Sequence, residues 1–317
     1  MTQRMVVVGA TGHIGRPLCR ELQRSGNLVT VFSRDPDHAQ HVVPGAAGYV
    51  AWSPLSLSEE CVSHLAWADA VVYLAGGPLF DGRRHTREDV RAESRTRAGA
   101  LAQLVTALGG LTPRPGALIA ASSVGYYGYE GISDLPVDET HPAGRDWWGQ
   151  DSAAIEQAAL AAQAHGVRTV VLRTGYVLTQ DSLAAQVTQF RRHAGGWIGT
   201  GRGWTPWIHI ADEVGIIAFA LRQPGLGGPI NLSAPEPSRA RAFARALGRA
   251  VGRRAWLPVP TPLVRLGLGV ITDILTRGNR VIPARASSLG YEFSFPVLDA
   301  ALHDLLGRPD HAAAAAQ

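Results

Sequence analysis

Apolar positions along the chain follow two rhythms. Short unbroken runs occur at Met5–Gly9 (MVVVG), Leu28–Phe32 (LVTVF), Ala70–Leu74 (AVVYL), Ala117–Ala121 and Val167–Leu172 (VRTVVL), with a weaker one at Tyr49–Trp52. Runs of this kind, rich in β-branched residues, suit strands buried on both faces of a sheet. Between them, His13–Ser25, Arg83–Leu108 and Gln150–His165 carry apolar residues at helical spacing. Gly26 closes the first of these as a C′ residue, and Gly109-Gly110 ends the second. Strands alternating with helices of this length predict βαβ units, and hence an α/β fold with a doubly wound parallel sheet.

Beyond Arg173 the rhythm changes. Glycine and tryptophan concentrate between Gly195 and Trp207, and prolines recur as far as Pro262. A strand at Pro229–Leu232 and helices at Arg239–Val251 and Leu263–Thr276 are still legible. The expected organisation is a sheet domain over 1–175, rejoined by 212–232, with 176–211 and 233–317 forming a smaller substrate lobe. Val281, Ile282, Leu289, Tyr291, Phe293, Phe295, Val297 and Leu298 are too apolar for a solvated tail, so they are expected to pack on that lobe. Ala312–Ala316 reads as a frayed end.

Composition narrows the chemistry. With 46% apolar and 18% charged residues, the 317-residue chain builds a sizeable core. Its two cysteines, Cys19 and Cys61, have no CxxC or His-spaced partner, which argues against a disulfide framework or a metal centre. The first apolar run starts too early to leave room for a leader, and no run has membrane-span length, so a cytoplasmic protein with no membrane partner is expected. All 30 basic residues are arginine. Without a single lysine, Schiff-base chemistry, a P-loop and a Tyr-x-x-x-Lys dyad are excluded. The net charge of +4 is modest and the arginines are dispersed, which favours a small-molecule substrate over nucleic acid. A monomer or homodimer is expected.

The first run leads into Gly9-Ala10-Thr11-Gly12-His13-Ile14-Gly15, a G-x-x-G-x-x-G loop opening a helix. Glycine here lets the backbone turn tightly against a pyrophosphate, which the helix N-terminus then attracts. The second strand ends at Ser33-Arg34-Asp35. Serine and arginine suit a 2′-phosphate and favour NADP, while Asp35 is the feature that would favour a ribose hydroxyl and NAD. Leu74-Ala75-Gly76 ends the fourth strand with residues small enough to pass under an adenine and ribose. Arg95 on the following helix is placed to reach back to the cofactor, and Arg83, Arg84, Arg87, Arg91 and Arg97 read as a solvated face.

These stretches, with SSVGYYG, VVLRTGYVL, WIHIAD, GPINLSAPEP and RVIPARASSLGYEFSFPVLDAAL, resemble the extended short-chain dehydrogenase/reductase superfamily. Within it they are similar to the NAD-dependent epimerase/dehydratase family, in a subgroup with a C-terminal domain of unknown function. The resemblance spans Gly9 to about Leu302. It implies a Rossmann domain, NADP as cofactor, and contacts to that cofactor from Ser122, Arg173, Gly175 and Val177. It also implies a strand crossing back under the substrate pocket, with Asp212 capping the next helix. Ser122-Ser123 match the serine element of the superfamily. Trp148 and Ser152, however, stand where its tyrosine and lysine belong, so the usual dyad is absent. Ser123 with Tyr127 is the nearest remaining catalytic pair, with Tyr126, His141 and Asp146 as alternatives. Tyr126, Trp148, Arg202 and Trp207 are expected to line the substrate pocket, although packing alone also accounts for such aromatics, and His209 reads as structural. Two functions compete: an oxidoreductase or epimerase acting on a small polar or cyclic substrate, and an NADP-binding sensor or scaffold without turnover.

Overall fold

The computed structural model describes residues 2–77 and 82–307, which leaves Ala312–Ala316 outside the described residues. The predicted runs become strands β1 (Arg4–Val8), β2 (Leu28–Ser33), β3 (Gly48–Ala51), β4 (Ala70–Tyr73) and β5 (Ala117–Ser123). After them come β6 (Ile132–Val137), β7 (Arg168–Thr174), β8 (Tyr176–Leu178), β9 (Gly196–Ile198) and β10 (Trp204–Thr205). The last strands are β11 (Trp207–His209), β12 (Gly228–Leu232), β13 (Ser238–Arg239), β14 (Leu257–Val259) and β15 (Gly278–Val281). Seven of them form one parallel sheet in the order β12-β7-β5-β4-β1-β2-β3. The winding direction reverses between β1 and β4, and in such sheets that reversal opens a ligand crevice at the strands' carboxyl ends.

The helices are α1 (Gly15–Arg24), α2 (Pro36–Val42), α3 (Glu59–Trp67), α4 (Arg87–Gly110), α5 (Trp147–Leu160) and α6 (Gln180–Arg191). They continue as α7 (Ile210–Arg222), α8 (Ala240–Ala250), α9 (Thr261–Leu268), α10 (Thr272–Thr276), α11 (Ala284–Ser288) and α12 (Leu298–Leu306). Strand alternation sorts the core into two layers. Val7, Val72, Ile119 and Val170 pack with Leu18 and Leu22 of α1 and Ile217 of α7. Val6, Val71, Leu118 and Val171 face the other way, onto Leu65 of α3, Leu101 and Leu104 of α4, and Ile155 of α5. A third core, with Phe190, Trp207, Phe243, Leu247 and Leu302, is built entirely from residues beyond β7. Among the described residues no helix is long and apolar enough to cross a membrane.

Several expectations are corrected. Helix α4 begins at Arg87 rather than Arg83, because Thr86 and Asp89 form a reciprocal capping box there. Leu263–Thr276 is two helices, α9 and α10, broken at Gly269, whose φ is +64°. Asp212 does not cap α7. His209 does, its Nδ1 accepting the Ala211 N–H at 3.1 Å. Of the apolar residues near the chain end, Leu298 and Phe295 join the third core as expected, whereas Val281 packs with Tyr127 and Val137, Tyr291 and Phe293 pack on the layer of α1 and α7, and Leu289 and Val297 stay exposed. At the other end of α7, Arg168 donates to the carbonyls of Ala220 (3.0 Å), Leu221 (3.2 Å) and Leu226 (3.0 Å). This cation sits where the helix dipole leaves unpaired carbonyls.

Candidate functional site

At the switch point Gly9 has φ +86°, and a Cβ there would lie 2.8 Å from the Ala75 nitrogen. A Cβ on Gly15 would come within 2.3 Å of the Gly9 carbonyl oxygen. Both positions therefore require glycine, whereas Gly12 meets only the Gly9 carbonyl, at 3.4 Å, and leaves the cradle open. Helix α1 starts beyond Ile14 without a side-chain cap; Arg16 donates its N–H to the Gly12 carbonyl at 3.0 Å and Pro17 has none, so the Gly15 N–H and the helix dipole are what the first turn offers an anion. Half-buried Thr11 and exposed Gly12 and His13 form the rim, and His13 Nδ1 lies 3.3 Å from Asp181 of α6. These residues fit a dinucleotide pyrophosphate.

At the end of β2, Asp35 is the N-cap of α2 and accepts the His38 N–H at 2.9 Å. Among the described residues the Ser33 hydroxyl bonds only the Asp35 backbone, at 3.0 and 3.1 Å. Arg34 is exposed and forms no ion pair with the described residues. Along the cleft, Leu74 and Ala75 back onto Gly9, and Glu93 holds the Gly77 N–H at 2.6 Å. Arg95, expected at the cofactor, instead pairs with Glu88 on the exposed side of α4. Arg97, read from sequence as solvated, is the arginine that reaches the strand ends. It is half-buried, donates to the Ala121 carbonyl, and lies beside Gly76. Its Nε is enclosed without a partner.

The carboxyl ends of β5, β7 and β12 carry a buried polar cluster. Arg173, only 3% exposed, forks onto Glu156 through Nε–Oε1 (3.0 Å) and Nη2–Oε2 (2.9 Å). Burial opposes its charge, and Glu156 more than offsets this, keeping the guanidinium protonated. Ser122 donates to the same carboxylate at 2.9 Å. Arg173, expected against the cofactor, is thus engaged within the protein. Tyr127 donates to Asn231 Oδ1 (2.7 Å) and accepts from Arg173 Nη1 (3.0 Å). Burial pushes its phenol up to about 12 against the pull of Arg173, and with its hydroxyl engaged by both Asn231 and Arg173 the side chain braces β12 against β7. The half-buried Tyr126 ring stacks on Arg173, 3.4 Å from guanidinium carbon to centroid. Ser123 Oγ accepts the Gly125 N–H at 3.1 Å. Gly175 is wedged between Pro206 and Leu232, and Val177 lies in β8 beside Ile208.

Trp148, expected in the pocket wall, is buried among Val90, Tyr129 and Ile271, with its Nε1 unpartnered. Trp207 is fully enclosed in the third core, its Nε1 donating to Glu236 O at 3.0 Å, which removes it from any pocket surface. Arg202 is exposed, as a substrate contact requires. Trp204, beside it, lies under the Arg239 guanidinium at 4.4 Å. Asp146 caps α5, and His141 pairs with Asp138 at 3.0 Å. Asp212 is fully buried and accepts the N–H groups of Ser294 (2.7 Å) and Phe295 (2.9 Å).

Glu213 is also fully buried, with Oε1 accepting from Thr174 at 2.9 Å and Oε2 unpartnered. Burial raises its carboxyl from 4.5 to about 8, Thr174 opposing. The folded chain therefore holds a proton that the unfolded chain releases between those values. Its contribution to stability is full below the lower value and is lost as pH rises towards the higher one. The thermal midpoint is expected to fall between about pH 5 and 8, and Glu213→Gln to flatten that fall. Equal slopes in melts across pH would refute the assignment.

Comparison with known proteins agrees with this geometry. The model of the NAD dependent epimerase/dehydratase family matches residues 5–233, and that of a domain of unknown function, DUF1731, matches residues 259–305. The mouse epimerase family protein SDR39U1 is 34% identical over 307 residues, covering 96% of this chain and 99% of its own. An Arabidopsis thaliana homologue described as chloroplastic is 33% identical, covering 95% of this chain and 86% of its own. The crystal structure of human SDR39U1 (isoform 2) with NADPH superposes with a TM-score of 0.79 at 30% identity, covering 96% of this chain and 100% of that one. Strand order, glycine cradle and a match across most of the chain lead to one conclusion: this protein belongs to the NAD dependent epimerase/dehydratase family.

Proposed function

We propose that the chain binds NADP(H) across the β1–β4 crevice and acts as an oxidoreductase or epimerase on a small polar or cyclic substrate held against the second lobe. The observation that carries this is the capping role of Asp35. Its carboxylate is committed to the His38 N–H, which leaves Ser33 and exposed Arg34 to meet a 2′-phosphate. The human relative crystallised with NADPH supports the same choice. When bound, the nicotinamide supplies or accepts a hydride. The chain's own residues do the rest. The α1 N-terminus and Gly12 hold the pyrophosphate, and Arg97 places a cation under the strand ends beside Gly76. Ser123 offers a hydroxyl at the end of β5, while Tyr127, Arg173 and Glu156 keep the floor of the site rigid. A reducing compartment, with the cytoplasm as our choice, suits the two buried free cysteines.

NADPH is expected to bind at least about 10-fold tighter than NADH, and Arg34→Ala to erase most of that preference, since one charge-assisted contact is worth about 1.5–3 kcal/mol. Fluorescence titration of both cofactors checks it, and equal affinities in the unmodified chain would overturn it. A second reading, an NADP-binding protein without turnover, is favoured by one specific observation: Trp148 and Ser152 stand where the superfamily's Tyr and Lys belong.

A further inference from the structure

The site lacks a phenol from α5, yet hydroxyls still converge at the end of β5. The position above Gly125, where a Cβ would stand, lies 2.9 Å from Ser123 Oγ, 3.5 Å from Ser152 Oγ and 3.7 Å from the Tyr129 hydroxyl. Three elements supply them: the end of β5, the first half of α5, and the chain following the single 3-10 turn at Val124–Tyr127. Tyr129 is fixed there twice. Its N–H donates to Asp146 Oδ2 at 2.6 Å, and Asp146 also caps α5 through the Gly149 N–H at 2.9 Å. Its ring meets Trp148 edge-to-face at 5.6 Å and 83°. The indole standing in the tyrosine position thus becomes the wall that aims a different tyrosine. The Tyr127 hydroxyl already has two protein partners. Those of Tyr129 and Ser152 have none among the described residues, and neither is among the fully enclosed orphan atoms.

We propose that Tyr129 is the proton donor of this site, its hydroxyl standing with those of Ser123 and Ser152 in place of the phenol that α5 lacks. The proposal rests on the reading of the cleft as an NADP(H) oxidoreductase site. In the reductive direction the nicotinamide C4–H bond breaks and its electron pair passes to a carbonyl carbon of the substrate. The carbonyl π pair moves onto oxygen, and the Tyr129 O–H bond breaks to deliver its proton there. Water then returns a proton to the phenolate past Ser152. Burial, chiefly, keeps the Tyr129 phenol above the ordinary tyrosine range, so it enters the step protonated. A phenol is a far stronger acid than the alcohol being formed, which makes the transfer downhill.

The test needs no substrate. The full chain, with its seven tyrosines carrying 13C at Cζ, is titrated with NADP+ and separately with NADPH, and the Tyr129 signal is assigned with Tyr129→Phe. The Tyr129 signal is expected to move on binding and to take different positions with the cationic and the neutral nicotinamide. The Tyr176 signal, from a ring packed on Phe243 in the second lobe, should stay in place. If Tyr129→Phe does not fold, Gly125→Ala assigns the signal instead, because its methyl lands among the three hydroxyls. Cofactor binding with an unmoved Tyr129 signal would overturn this inference alone. Failure of NADP+ and NADPH to bind at all would overturn the cofactor reading and this inference together.

Discussion

Glu156→Ala is expected to lower stability by about 3–5 kcal/mol, the usual cost of removing one partner from a buried ion pair. Arg173 is held by two charge-assisted bonds from Glu156, and at 3% exposure its guanidinium cannot turn out to water. Without the carboxylate, the cation keeps the Tyr127 hydroxyl, a long bond to the Glu139 carbonyl at 3.4 Å and the face of the Tyr126 ring, and Ser122 loses its acceptor. Differential scanning calorimetry should show a midpoint lower by about 5–10 °C for a chain of this size. Replacing both residues by apolar ones of similar volume should recover most of the loss, because the desolvated charge goes with its partner. A single mutant within about 1 kcal/mol of the parent would mean that water reaches Arg173.

Truncation after Gly278 should give an insoluble or molten chain. The deleted segment supplies most of β15, which pairs with β6, and the buried side chains of Val281, Ala286, Leu298, Ala301 and Leu302. It also supplies the partners of two buried carboxylates. Asp212 would lose the N–H groups of Ser294 and Phe295, and Glu139 would lose that of Arg285. Asp212 would be left without those bonds and Glu139 with only the Asn231 N–H, a cost that adds to the lost apolar contacts. A soluble product with an unchanged melting temperature would refute this.

The central sheet was legible because β1, β2, β4, β5 and β7 are short apolar runs, β-branched in all but β5, which suit a strand covered on both faces. Helix α7 was expected only through the resemblance and with the wrong cap, Asp212, because its cap is a histidine rather than Ser, Thr, Asp or Asn. The phosphate loop was readable from glycine spacing alone, since the backbone approach it needs is local. Arg95 and Arg97 could not be ranked from sequence. Two residues on a helix differ by about 200° of rotation, and only the position of α4 on the sheet decides which one faces inward. The anchoring of the Tyr127 hydroxyl was not legible for a related reason: its partner Asn231 lies 104 residues away. Asp35 reads equally as a ribose ligand or a helix cap, and the choice is made only by where α2 begins.

The joints between the sheet layer and the C-terminal segment also have a mechanical meaning. Asp212 on α7 clasps 294–295, Asn231 on β12 holds the Ile282 carbonyl at 2.9 Å, and Glu139 beyond β6 holds the Arg285 N–H at 3.2 Å. A clamshell needs one line of pivots about which two rigid bodies turn. Joints on three different elements supply a bracket instead, and any swing that relaxes one of them strains the others. Entry to the crevice therefore falls to the stretches strung between the joints rather than to a rotation of the C-terminal part as a whole. The enclosure is a braced frame whose opening is a matter of local flexing, not of a jaw.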